Sequence, residues 1–213
     1  MFSAEFLTLF TTSFVTFFVL IDAIGVAPIF ASLTAEGSAR YRRRMAVKSV
    51  FAAALIVYGF AFGGAWLLNA MHISFDAFRA AGGILLFIIA LDMVFEKRTE
   101  RRENRAEGVL ADEELTDVSI FPIGIPMIAG PGTIATAMLY MSNATAWWGQ
   151  AAVLAALGAN LLLCLVIFLA AGPIVRSLGD SIVAALTRIL GVILAALSVQ
   201  LLIDGIKGAF GIG

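Results

Sequence analysis

Charged side chains are scarce in this 213-residue chain, at 14%, and the two signs nearly cancel: 14 Lys and Arg against 15 Asp and Glu. A near-zero net charge offers no field for nucleic acid. There is one cysteine, Cys164, inside an apolar run, and one histidine, His72. That excludes a disulfide framework and a cysteine-based metal cluster. No Lys or Arg precedes Arg40, so the positive n-region of a cleavable signal is missing and the first apolar run is expected to stay as a span. The chain also lacks G-x-x-x-x-G-K-[ST], H-E-x-x-H and G-x-S-x-G, the signatures of a phosphate-cradling loop, a zinc protease and a serine hydrolase. What it has is apolar surface. Hydrophobic residues make up 61% and mean hydropathy is +0.99, far above a soluble domain. At about 20 residues per bilayer crossing, the length allows roughly six to eight spans and no soluble catalytic domain.

Six apolar runs stand out, at about 6–33, 49–69, 77–95, 118–142, 148–172 and 182–206. The predicted fold is therefore an all-α polytopic membrane bundle of six spans. Lys and Arg fall heavily in alternate loops: Arg40, Arg42, Arg43, Arg44 and Lys48, then Lys97, Arg98, Arg101, Arg102 and Arg105, then Arg176 and Arg188. The opposite loops hold only Arg79 and Lys207. Cytoplasmic loops carry the basic excess, so this asymmetry puts both termini outside. Trp66, Trp147 and Trp148 lie near the outer ends of spans, where interfacial aromatics collect.

Two runs are too long for simple rods. As unbroken helix, 6–33 would extend about 42 Å and 118–142 about 37 Å, against a hydrocarbon core of about 30 Å. Each contains helix-breaking residues at mid-depth: Asp22-Ala-Ile-Gly25-Val-Ala-Pro28 in the first, Pro126-Met-Ile-Ala-Gly130-Pro131-Gly132-Thr133 in the fourth. Spans three and six align at an offset of 109, Arg79-Ala-Ala-Gly82 with Arg188-Ile-Leu-Gly191. The chain thus divides into residues 1–95, a charged cytoplasmic linker at 96–117, and 118–213. These are two three-span repeats, which an odd span count forces into opposite orientations. Interrupted spans at matching places in inverted halves point to a transporter's binding site.

These motifs resemble the MarC family of inner-membrane proteins. Asp22-Ala-Ile-Gly25-Val-Ala-Pro28-Ile-Phe30 is similar to its D-P-I-G-N-x-P-x-F element, and Ile125-Pro126-Met-Ile-Ala129-Gly130-Pro131-Gly132-Thr133-Ile134 to its I-P-L-x-A-G-P-G-x-I element. The segments from Phe78 to Phe87 and from Arg188 to Gly205 resemble its third and sixth spans. The family's first Pro is Ala23 here and its Asn is Val26, so one polar group is missing at the first break. Some relatives are classed as neutral amino-acid transporters. The resemblance implies a bacterial inner-membrane protein of that kind.

The expected function is secondary transport of a small solute, a neutral amino acid above all, by alternating access and without enzymatic activity. An intramembrane enzyme acting on lipid or peptide, or a small-solute channel, is the alternative. The expected substrate site comprises Asp22, Gly25, Pro28, Gly130, Pro131, Gly132, Thr133 and Asn160. Asp22 would hold the substrate ammonium, carry a coupling proton, or cap the restarting helix. The N–H groups at Gly130–Thr133 would hold its carboxylate, with Gly132 leaving room for close approach. Arg79 and Arg188 are expected to anchor spans three and six, or to gate through an acid such as Asp204 or Glu96. Asn160 either lines the pathway or bonds between helices. Gly59-x-x-x-Gly63 and Ala151, Ala155 and Ala159 suggest close packing inside the bundle, or a homodimer face. Expected partners are membrane lipids and a coupling H⁺ or Na⁺; no nucleic acid, cofactor or metal is expected.

Overall fold

A computed structural model describes residues 2–95, 97, 101, 103 and 117–212. Most of the 96–117 linker, with Glu96, therefore lies outside the described residues, as do the side chains of 2, 3, 174–178 and 180. The described chain is helical throughout, in eight elements: α1 (Phe2–Ile21), α2 (Ala23–Leu33), α3 (Ala39–Ala70), α4 (Phe75–Val94), α5 (Ser119–Ile128), α6 (Pro131–Asn143), α7 (Trp147–Leu169) and α8 (Ala171–Phe210). Five stretches are long and apolar enough to cross a membrane: Ala4–Leu33, Ala39–Ala70, Phe75–Val94, Trp147–Leu169 and Ser181–Phe210. The pair α5 and α6, bent by 56° at their junction, meets the same test when taken together, which gives up to six.

Local chemistry explains the helix ends. The Ser38 and Ser74 hydroxyls accept from the N–H groups of Tyr41 and Ala77, each at 3.2 Å, and so start α3 and α4. The α3 helix begins ten residues before its apolar run, because Ala39–Lys48 is built of good helix formers that continue the rod beyond the span. α8 is likewise longer than its run, and its kink at Gly179 (φ 70, ψ 159) falls between the fifth and sixth apolar runs. Segment α5 is wide and irregular, with extended backbone at Phe121 and Ile125, each just before a proline. Asp117 steadies its start. The Asp117 carboxylate accepts from Lys48 Nζ at 2.5 Å and from the Ser119 N–H at 3.1 Å. Burial works to raise the Asp117 pKa, but these hydrogen bonds and the Lys48 charge together hold it below its ordinary value. The tie is thus intact at neutral pH and is lost only as acid protonates the depressed carboxyl.

Packing is inside-out relative to a soluble protein. Phe51, Leu55, Phe62, Trp66, Trp147, Leu162 and Val192 are exposed, whereas Ser13, Thr16, Asp22, Thr133, Thr136, Asn160, Thr187 and Ser198 are buried. The chain is a polytopic membrane bundle whose apolar belt faces lipid. Spans three and six form its most extensive pair, and they run antiparallel. A Cβ on Gly83 would lie 2.7 Å from Leu202 N and 2.8 Å from Ser198 O, and one on Gly191 would lie 3.1 Å from Ala90 O. Both helices thus use glycine to bring backbones together. Their contacts also persist under exchange of the halves: 83 meets 198 and 202, while 191 meets 90, 93 and 94, close to the partners shifted by 109. Likewise α1 packs on α7 as α5 and α6 pack on α3.

Two packing expectations are corrected. A Cβ on Gly59 or Gly63 would meet nothing within 4 Å; these glycines face outward, and Gly64 is the one pressed against Met138. On α7 the buried stripe is Gly149, Ala152, Ala156, Asn160 and Cys164, with Ala155 exposed. Apolar composition on every face hid which stripe turns inward.

Overpacking a close helix contact costs about 1–3 kcal/mol. Gly83→Ala is therefore expected to lower the melting temperature of the detergent-purified protein clearly, while Gly59→Ala leaves it unchanged. Thermal unfolding followed by tryptophan fluorescence decides between them.

Candidate functional site

The first break falls on one residue. Asp22 adopts the left-handed conformation (φ 49, ψ 52), which Asp and Asn tolerate better than other non-glycine residues. The helical ladder bridges it, with Asp22 N bonded to Phe18 O and Val26 N to Asp22 O, both at 3.0 Å. Its carboxylate turns back onto α2: Oδ1 accepts from Gly25 N–H at 3.2 Å and lies 3.5 Å from the Thr187 hydroxyl on α8. Asp22 is 2% exposed. A Cβ on Gly25 would come within 2.4 Å of the carboxylate, so glycine is needed there for the cap. Pro28 sits inside α2, not at a break.

The second break is wider. α6 starts at Gly130 with Pro131 in its first turn, and no side chain caps it. The first N–H groups of a helix lack intrahelical partners and carry about half a positive charge. At α2 that charge meets the protein's own carboxylate, and at α6 no carboxylate among the described residues fills the role. The Thr133 hydroxyl donates across the break to Ile128 O at 3.1 Å, holding the two segments together.

A cavity of about 150 Å³ opens at this second break. Pro126, Met127, Gly130, Pro131, Gly132 and Thr133 form one wall, Leu20 and Ile89 another, and Asp92 and Arg101 complete it. Asp92 is near the end of α4, with a side chain 15% exposed, and is paired with the half-exposed Arg101 guanidinium. Sequence reasoning missed both. Asp92 is an acid near the end of the third apolar run, and Arg101 is one charge among many in the linker. The available signal was an acid one turn inside an apolar run facing a broken helix.

The expected site residues therefore divide. Gly130, Pro131, Gly132 and Thr133 are together at the cavity. Asp22 and Gly25 belong to the other break, Pro28 lies within α2 beyond it, and the cavity's link to that break is Leu20, two residues before Asp22. Asn160 is elsewhere: its Nδ2 donates to Phe14 O at 3.0 Å and to Ala156 O at 2.9 Å, stitching α7 to α1. Gly132 does more than leave room for a ligand, since a Cβ there would lie 2.8 Å from Ile89 Cδ1 and 3.0 Å from Leu86 Cδ2. It is also a packing glycine. Arg79 pairs with Asp76 at 3.6 Å and donates to Asn143 at the end of α6, whereas Asp204 accepts from Gln200 at 2.8 Å. Asp204, one of the acids named as a possible gating partner, is thus engaged by its own helix. Arg188 follows Thr187 on α8, one residue from the Asp22 contact. Among the described residues, no three His, Cys, Asp or Glu side chains cluster so as to hold a metal ion.

A glycine-proline break at mid-span, paired with an acid-capped break in the opposite half, is the arrangement of the motifs quoted above. The family model for MarC family integral membrane proteins matches residues 7–210. The chain belongs to the MarC family. Among its relatives, a UPF0056 membrane protein of Methanocaldococcus jannaschii is 34% identical over 94% of this chain and 97% of its own length. The UPF0056 membrane proteins YhcE of Escherichia coli and YvbG of Bacillus subtilis are 31% and 32% identical, each over 92% of this chain and over 91% and 93% of their own lengths. No solved structure matches the chain.

The Asp22 cap yields a stability test. Asn caps helices about as well as Asp, and loss of the cap costs about 1 kcal/mol; Ala in the left-handed region adds a further 1–2 kcal/mol or so. Asp22→Ala is expected to destabilise by about 2–3 kcal/mol in detergent melts, and Asp22→Asn by less than about 1 kcal/mol. Equal losses would show that the negative charge, not the cap geometry, holds the break.

Proposed function

We propose that this MarC-family protein is a secondary transporter of a small zwitterionic solute, foremost a neutral amino acid, and not an enzyme. The observation that carries the reading is the uncapped N-terminus of α6 in the wall of a cavity that also holds a mostly buried carboxylate, Asp92. An α-amino acid brings the two complementary charges on adjacent atoms. Its carboxylate takes at α6 the place that the Asp22 side chain takes at α2, accepting from the N–H groups of Gly132 and Thr133. Its ammonium pairs with Asp92 in place of Arg101, which thereby becomes the group displaced on loading. At about 30 Å³ per water, a cavity of about 150 Å³ equals about five waters, and so favours small side chains.

Residues 1–95 and 118–213 act as two inverted three-span halves that rock about this site, joined by the 96–117 linker. The basic segments face the cytoplasm and both termini face outward across the plasma membrane. Energy comes from a gradient, of H⁺ or Na⁺, and Asp22 is the buried carboxyl in the opposite half suited to carrying a proton. The names of the relatives specify a membrane protein and no solute, so this assignment rests on the site.

The test is counterflow in proteoliposomes preloaded with unlabelled amino acid. Labelled neutral amino acids are expected to enter with saturable kinetics. Losing a hydrogen bond to a charged group costs about 1.5–3 kcal/mol, so Asp92→Asn should lower their apparent affinity by about tenfold or more, while propionate, which has no ammonium, competes as before. Asp22→Asn is expected to retain exchange and lose accumulation driven by a pH gradient. Folded protein that exchanges no neutral amino acid overturns the reading.

A further inference from the structure

The cavity has a second polar feature behind it, along the seam between α1 and α6. These helices face each other from the break toward the end of the bundle that holds Asn143. Leu20 approaches Gly132, and Phe17 meets Tyr140 edge-on at 6.1 Å. The Thr16 hydroxyl donates to Thr12 O at 2.9 Å, so it accepts from the Tyr140 hydroxyl, also at 2.9 Å. Ser13 lies three, four and seven residues before Thr16, Phe17 and Leu20, on the same stripe of α1. Thr136 lies between Gly132 and Tyr140 on the facing stripe of α6. Both are fully buried, and among the described residues neither Ser13 Oγ nor Thr136 Oγ1 has a hydrogen-bond partner.

That is unusual in this molecule. Thr8, Thr11, Thr16, Thr34 and Ser49 all return their hydroxyls to the carbonyl four residues earlier, the ordinary solution inside a membrane helix. A buried hydroxyl left unpaired carries its full desolvation cost. The two exceptions bracket one interhelical contact: Ser13 is one turn above the Thr16–Tyr140 hydrogen bond and Thr136 one turn below it, between that bond and the cavity. Above Ser13, Arg79 donates to Asn143 and ties α4 to the end of α6.

We propose that the α1–α6 seam is the path by which the solute reaches the cavity from the Asn143 end, closed in this structure by the Thr16–Tyr140 bond and lined by Ser13 and Thr136. The inference rests on the transporter reading. Hydroxyls donate and accept equally, so they suit a zwitterion passing in either orientation. When the seam opens, Ser13 and Thr136 gain the partners they lack when it is shut. Their cost therefore weighs against the closed state and helps keep the two states close in energy.

Two experiments test this. In a Cys164→Ala background, Ser13→Cys and Thr136→Cys are treated with a membrane-impermeant charged methanethiosulfonate in right-side-out and inside-out vesicles. Phe62→Cys, on the lipid face, gives the background rate. Both seam variants are expected to react above background from the outer side, Ser13→Cys faster. Adding Tyr140→Phe should speed the Thr136→Cys reaction by about fivefold, the equivalent of a hydrogen bond of about 1 kcal/mol, and leave Ser13→Cys little changed. Reaction at or below the lipid-face rate for both, or no response of Thr136→Cys to Tyr140→Phe, overturns the path. Second, Thr136→Val keeps the shape and removes the unpaired hydroxyl. It is expected to raise the melting temperature yet slow counterflow by about fivefold, and a variant that is more stable and equally fast contradicts the role. Labelling requires no substrate, so the two readings fail separately. Absent counterflow with intact labelling removes the transporter reading, and absent labelling with intact counterflow removes the seam.

Discussion

A helix that begins inside a membrane exposes N–H groups that lipid cannot satisfy, and this chain begins two helices there. The rest of the structure depends on how each start is met. At α2 the answer is internal. Asp22 enters the left-handed region, folds its carboxylate onto Gly25 N–H and is covered by Thr187. At α6 the chain supplies proline, glycine and a threonine whose hydroxyl is already committed to Ile128 O. One start is self-capped, and the other has no side-chain cap among the described residues. The cavity lies at the second.

Such a site needs a scaffold that holds two half-helices at fixed depth, and α4 and α8 provide it. Glycines 83, 191 and 205 let their backbones touch over most of the span, and the cluster of Val19, Leu20, Leu86, Ala90, Met93 and Leu194 binds α1 to that pair. Leu20 belongs at once to this cluster and to the cavity wall. Along the seam between α1 and α6, the Thr16–Tyr140 hydrogen bond runs beside the edge-on contact of Phe17 with Tyr140.

Much of this was legible in the sequence, because the bilayer imposes rules that composition obeys. The number of apolar runs, the two breaks and the correspondence of spans three and six followed from length, Gly and Pro placement and the 109-residue offset; that these two spans pack on each other did not. What failed to show was direction around each helix. In a soluble helix polar residues mark the outer face; here α3 and α7 are apolar on every side, so Gly59 and Gly63 read as packing residues although they face lipid, and Ala155 read as buried although it is exposed. Asn160 gave a true signal of burial but a false one of location, since its amide serves Phe14 and Ala156 carbonyls. Asp92 and Arg101 stayed hidden for another reason. They are far apart in kind, one in a span and one in a charged linker, and only the fold joins them at the cavity.

The central claim is the asymmetry between the two breaks: α6 awaits an external carboxylate and α2 does not. Hydrogen–deuterium exchange of the protein in lipid nanodiscs, with and without a saturating neutral amino acid such as alanine, measures this at the amides themselves. The account predicts slowed exchange at Gly132 and Thr133, half-maximal at the concentration that half-saturates counterflow, and little change at Ala23–Val26. Protection at Ala23–Val26 that equals or exceeds that at Gly132 and Thr133, or none at either break while transport is saturated, would contradict it.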